Sequence, residues 1–107
     1  MIAWKVTFYD LTSLTIYNDS VIQYKLGKTV KVNPLIQGPM ACFRRLKQAI
    51  HYTSILGNGR IFKCEVILSK EKALWYLLPQ YGIQRTDDLP EGTILCSAVK
   101  LLKEVIL

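Results

Sequence analysis

Between Ser20 and Cys64 the chain contains no aspartate and no glutamate. Eight basic residues fall in that stretch: Lys25, Lys28, Lys31, Arg44, Arg45, Lys47, Arg60 and Lys63. Outside it eight acidic residues face six basic ones, so the flanks sum to −2 and the formal net charge of +6 is an asymmetry. A lopsided distribution of this kind sets up a positive field over part of the surface, which draws phosphates or acidic protein partners.

Other absences narrow the chemistry. The glycine loops that cradle phosphates, GxGxxG and GxxxxGK[ST], do not occur. Gly57-Asn58-Gly59-Arg60 has only the first two glycines and follows a helical pattern, so it reads as a helix-to-strand turn. There is one histidine, His51, and the acids never recur at metal-ligand spacing. Cys42, Cys64 and Cys96 are odd in number and lack CxxC spacing, which argues against a disulfide framework and against a zinc site of cysteine alone. Buried free thiols in a reducing compartment are expected. No apolar run approaches the ~20 residues that cross a bilayer, and the first residues lack the charged n-region of a signal peptide. A soluble, cytoplasmic protein is expected, with no membrane partner.

What is present is a chain of 107 residues, half of them apolar and 21% charged, enough for one compact domain over 1–107 with its own core. Residues 2–9 alternate Ile2, Trp4, Val6 and Phe8 with Ala3, Lys5, Thr7 and Tyr9, the pattern of a strand with one apolar face. Residues 14–17 could return as a short strand. Residues 21–24 and 29–32 read as extended pieces around Gly27, in a hairpin or a bulge. From residue 40 the period changes: Met40, Phe43, Leu46, Ala49 and Ile50 form an amphipathic stripe, predicting a helix over about 40–54 that Gly57 closes. Residues 60–68 alternate again, with Phe62, Cys64, Val66 and Leu68 on one apolar face. Residues 71–78 suggest a short helix stopped by Pro79 and residues 87–92 a polar turn; residues 93–107 are long enough for a helix yet rich in Ile, Val and Leu, and the alternation of Ile94, Cys96 and Ala98 with polar neighbours favours a strand over that helix. The expected fold is α+β, a mainly antiparallel sheet carrying one principal amphipathic helix.

The basic set is the main functional signal. Arg44, Lys47 and His51 share the helix face opposite the apolar stripe, with Arg45 at its edge. Lys25, Lys28 and Lys31 surround a glycine turn that a phosphate backbone can approach closely, and Arg60 and Lys63 follow the helix. Tyr24 and Tyr52 lie beside these positions and could stack on bases. Trp75 and Tyr76 are adjacent aromatics that cannot both point inward, which makes them candidate interface anchors, for a partner or for a second copy. A nucleophile pair of Cys64 and His51 would need an accessible thiol. Cys64 instead sits on the apolar side of its strand, where a thiol is buried and inert. No catalytic, metal or cofactor constellation is recognised.

Tyr24-Lys25-Leu26-Gly27-Lys28-Thr29, a helix ending Ala49-Ile50-His51-Tyr52, then Arg60-Ile61-Phe62-Lys63-Cys64-Glu65-Val66 and Glu91-Gly92 before an apolar stretch resemble small bacteriophage domains whose shape is similar to ADP-ribosyltransferases. Such a transferase would use a nicotinamide cofactor and need an early His or Arg, a tyrosine or serine pair and a late glutamate. The tyrosines and Ala49-x-x-Tyr52 match loosely, Glu91 and Glu104 are late glutamates, and no His or Arg precedes Arg44. In size and basic asymmetry the chain is also similar to phage-encoded inhibitors of host defence, among them anti-CRISPR proteins. These likenesses imply a non-enzymatic viral or mobile-element protein without cofactor. It would block a host nucleic-acid-handling complex by docking a basic face on nucleic acid, a nucleoprotein or an acidic protein surface. The alternatives are a degenerate ADP-ribosyltransferase-like enzyme and a plain interaction or dimerisation module.

Overall fold

A computed structural model of the chain describes residues 1–12, 22–32, 38–57, 59–71, 73–78, 82–86 and 88–106; the side chains of residues 76–78, 83, 84 and 86 lie outside that description. Among these residues, seven strands and one helix follow in the order β1 (Ile2–Thr7), β2 (Thr29–Lys31), β3 (Met40–Phe43), α1 (Leu46–Leu56), β4 (Arg60–Leu68), β5 (Leu74–Leu78), β6 (Gly82–Thr86) and β7 (Thr93–Val105). Five of the strands make one antiparallel sheet, ordered β2-β7-β3-β1-β4, and β5 and β6 form a separate hairpin. The fold is α+β, as the alternation of periods predicts.

The sheet closes on itself because β7 also pairs with β4. Its thirteen residues are long enough to serve three partners: Thr93 to Cys96 pair with β3, Ala98 to Lys100 with β2, and Cys96 to Val105 with β4. The ring β7-β3-β1-β4 has no free edge along these pairings, which removes the aggregation hazard of an open strand. Inside it, Ala3, Met40, Cys42, Phe62, Cys64, Val66, Ile94, Cys96, Val99 and Leu101 pack into one core, plugged by Ile22 and Tyr24. Fully burying side chains of the size of Phe62 or Leu101 is worth about 1.5–3 kcal/mol each.

Two faces of β1 are therefore covered, not one. Ala3, Lys5 and Thr7 turn into the ring and are buried, Lys5 at 6% exposure. Trp4 and Val6 turn outward and pack with Phe43, Ile61 and the helix residues Leu46, Ala49, Ile50 and Tyr52.

The helix starts at Leu46 and not at Met40. Residues 40–43 are strand because Met40 and Cys42 are needed inside the ring while Phe43 stands opposite Trp4 outside it. Apolar residues at 40 and 43 also satisfy a helical stripe, so periodicity alone merged the two elements. At the other end Gly57 adopts φ 81° and its N–H donates to the Thr53 carbonyl, the left-handed stop that the sequence implies.

Residues 74–78 are strand, not helix. Leu74, Trp75 and Tyr76 pair with Thr86, Arg85 and Gln84, so the segment gains ladder hydrogen bonds that a single helical turn would lack. β1 ends at Thr7, short of the predicted residue 9. Segment 22–24 and β2 do not form a hairpin: β2 bonds to β7, and Gln23 bridges to Thr12. The strand expected over 14–17 lies outside the described residues. β4 matches the predicted strand, the 93–107 segment left between helix and strand is strand over Thr93–Val105, and residues 88–92 form the expected turn, where the Thr93 N–H donates to the Pro90 carbonyl.

Candidate functional site

Helix α1 lays its apolar side on β1 and leaves a groove of about 460 Å³ between its outer flank and the 88–92 turn. Gln48, Tyr52 and Ile55 line it at helical spacing, Phe43 and Pro90 complete the apolar floor, and Arg45, Lys47 and His51 stand around it with Glu91. Tyr52 and Phe43 meet with ring centroids 5.2 Å apart, a favourable tilted geometry that fixes the floor. Burial pushes the Tyr52 phenol above its ordinary value, which keeps it a neutral hydroxyl.

Local chemistry fastens this wall. Gln48 Oε1 accepts from the Arg45 N–H at 3.1 Å, satisfying a donor at the helix start. The Arg44 N–H donates to the Gly92 carbonyl at 2.9 Å. Gly92 has φ 81°. The positive φ is what favours glycine; a Cβ would also push the Gln48 amide aside.

The acid-free window does not form one face. Arg45, Lys47 and His51 gather at the groove, with Arg44 exposed beside them. His51 is mid-helix, since α1 runs Leu46–Leu56. Lys25, Lys28 and Lys31 are exposed in the other group, on the Gly27 turn and β2, which bonds to the middle of β7 at Ala98 to Lys100. β7 starts beside the groove at Thr93 and reaches Lys100 seven residues on, roughly 20 Å along a strand rising ~3.3 Å per residue.

Arg60 belongs to neither group. Its guanidinium donates to both oxygens of Glu104 at 2.9 and 2.8 Å and lies over the Phe62 ring at 5.2 Å. That engagement holds the Glu104 carboxyl below the usual range and raises Arg60. Lys63 is exposed on β4, directly opposite Lys103.

Tyr24 cannot stack on a base: it is 1% exposed inside the ring. Trp75 is half-buried, with its ring against Gly38 and its Nε1–H donated to Glu71 at 2.7 Å, so it anchors the hairpin to its own chain. The Tyr76 side chain lies outside the described residues, as does Tyr81.

Cys42, Cys64 and Cys96 are free and buried, as the spacing implies. They converge inside the ring with Lys5, whose Nζ donates to the Ala41 carbonyl at 2.7 Å. Cys64 donates to the Ala3 carbonyl at 3.2 Å. Hydrogen bonding to Cys42 and then burial push Cys64 and Cys96 up; the same hydrogen bonds, with Lys5 nearby, bring Cys42 down. Cys64 and His51 lie on opposite sides of the sheet wall and make no dyad. Among the described residues no group of three His, Cys, Asp or Glu is placed to hold a metal ion, and no helix is long and apolar enough to cross a membrane.

The groove itself is not legible in the sequence, because its far side comes from Pro90 and Glu91, about forty residues from the helix. The polar turn at 87–92 was legible; its place against α1 was not. Against protein-family models, curated proteins and solved structures alike, the chain gives no match.

Proposed function

We propose that this protein is a binding module for a polyanion, with single-stranded nucleic acid as the partner seated in the α1 groove. It acts by occupying that partner, and thereby obstructs a complex that handles nucleic acid. One observation carries the reading: Arg45 and Lys47, with the His51 imidazole and one carboxylate, Glu91, line a concave floor made by Phe43 and Tyr52. Cations set around an aromatic floor are what an unpaired nucleotide needs, since the phosphate takes the charge and the base takes the ring. A flat acidic protein surface would use the charges and leave the concavity empty.

The test is a titration with a single-stranded oligonucleotide at low salt. Arg45→Glu with Lys47→Glu should weaken binding at least tenfold. Tyr52→Ala should cost roughly another 1–3 kcal/mol if a base stacks there. Full affinity in the double variant would remove the reading.

A further inference from the structure

Lys100 and Lys103 are three residues apart, which in a regular strand puts them on opposite faces. In β7 they share one. Lys63 stands opposite Lys103 while Cys64 stands opposite Leu101, so Leu102 is an extra residue and the register shifts there. Bulges of this kind re-aim side chains. Because Phe62, Cys64 and Val66 fill the ring, Lys63 and Glu65 face outward, and their partners Lys103 and Lys100 face outward with them. On the far side of β7, β2 adds Lys31 opposite Ala98, which itself stands opposite Ile67.

The outer wall β4-β7-β2 thus presents Lys31, Lys63, Lys100 and Lys103 around a single carboxylate, Glu65. Strands ~4.8 Å apart and same-face residues ~6.6 Å apart put these amines within one Debye length of their neighbours. None of the four is ion-paired among the described residues. Two like charges directly opposite each other on a sheet destabilise it; Lys63 and Lys103 are such a pair.

We propose that this wall is a second polyanion surface, one that takes the phosphate backbone of a double-stranded nucleic acid without reading its sequence. The wall is rigid because the ring closes through it, and a duplex is likewise stiff, so neither must be ordered on contact. Lysine recognises phosphate as a point charge and carries no base code. The wall offers no exposed aromatic ring on which an unpaired base could stack, in contrast to the groove. The proposal is independent of the groove: either surface can bind if the other does not.

The experiment compares wild type, Lys63→Glu with Lys103→Glu, and the groove variant Arg45→Glu with Lys47→Glu. The probes are a short mixed-sequence DNA duplex, a single-stranded oligonucleotide, phosphatidylserine vesicles and polyglutamate. The wall variant should lose duplex affinity at least tenfold, with a log K against log salt slope shallower by about 2, and keep its single-strand affinity. The groove variant should keep the duplex. Lys63→Glu alone puts opposite charges face to face, so its melting temperature should rise while its duplex binding falls, which separates lost binding from lost folding. Duplex affinity unchanged in the wall variant would overturn the proposal and leave the groove reading untouched. So would a wall that proves specific for vesicles or polyglutamate.

Discussion

Tyr24 is 1% exposed, and its hydroxyl has no hydrogen-bond partner among the described residues. Burial, and then the thiols of Cys42, Cys64 and Cys96, push that phenol well above its ordinary value, so it stays a neutral hydroxyl. An unsatisfied buried hydroxyl costs about 1–3 kcal/mol. The ring, by contrast, is useful, since it fills the core and lies 5.4 Å from Lys5 Nζ. Tyr24→Phe keeps the ring and removes the orphan, and should stabilise the fold by about 1 kcal/mol in urea unfolding. A destabilised variant would show that the hydroxyl has a partner. Nothing in the sequence marks Tyr24 as interior. It stands beside Lys25 and Lys28, and aromatic residues beside cations read as a surface.

Among the elements, β4 and the C-terminal stop of α1 were legible because each rests on a local rule, strict alternation or a glycine at positive φ; β7 was open between strand and helix, because its register shifts against β4 interrupt the alternation. The start of α1 and the identity of β5 were not legible. Met40 and Phe43 satisfy both periods, and the segment at 74–78 becomes strand only by pairing with β6. The N-terminal end of α1 depends on a neighbour as well, since Gly92 receives the Arg44 N–H and makes room for Gln48. Gly92→Ala meets a left-handed φ and pushes the Gln48 amide aside. It should cost about 1–3 kcal/mol and, by displacing Gln48 and the 88–92 turn, weaken oligonucleotide binding in the groove. A variant as stable as wild type in thermal melts, with groove binding intact, would separate the turn from the site.

At the scale of the whole molecule, closure of the ring brings the two ends of the acid-free window's last strand to the C-terminal strand. Arg60, at the start of β4, meets Glu104, near the end of β7. Because the Glu104 carboxyl is held below its ordinary value in the folded state, the pair stabilises the protein above the unfolded glutamate's pKa. That contribution is lost as pH falls through the lower, folded value. Acidification below the ordinary glutamate range should therefore lower the melting temperature, and Glu104→Gln should flatten that limb. A residual slope belongs to Asp10, whose hydrogen bonds from Thr12 depress it in the same direction. An acid limb identical in the two proteins would show that the pair contributes nothing.

Sequence alone determined the class of the fold, the burial of the three thiols and the excess of cations over the middle of the chain. Each follows from composition or from a period along consecutive residues. Tertiary structure alone decided where those cations went. One bulge at Leu102 turned Lys100 and Lys103 to the same side, and one turn at Pro90 and Glu91 made a concavity of a helix flank. Register and closure are set by pairings between residues far apart in the chain, and no local rule contains them.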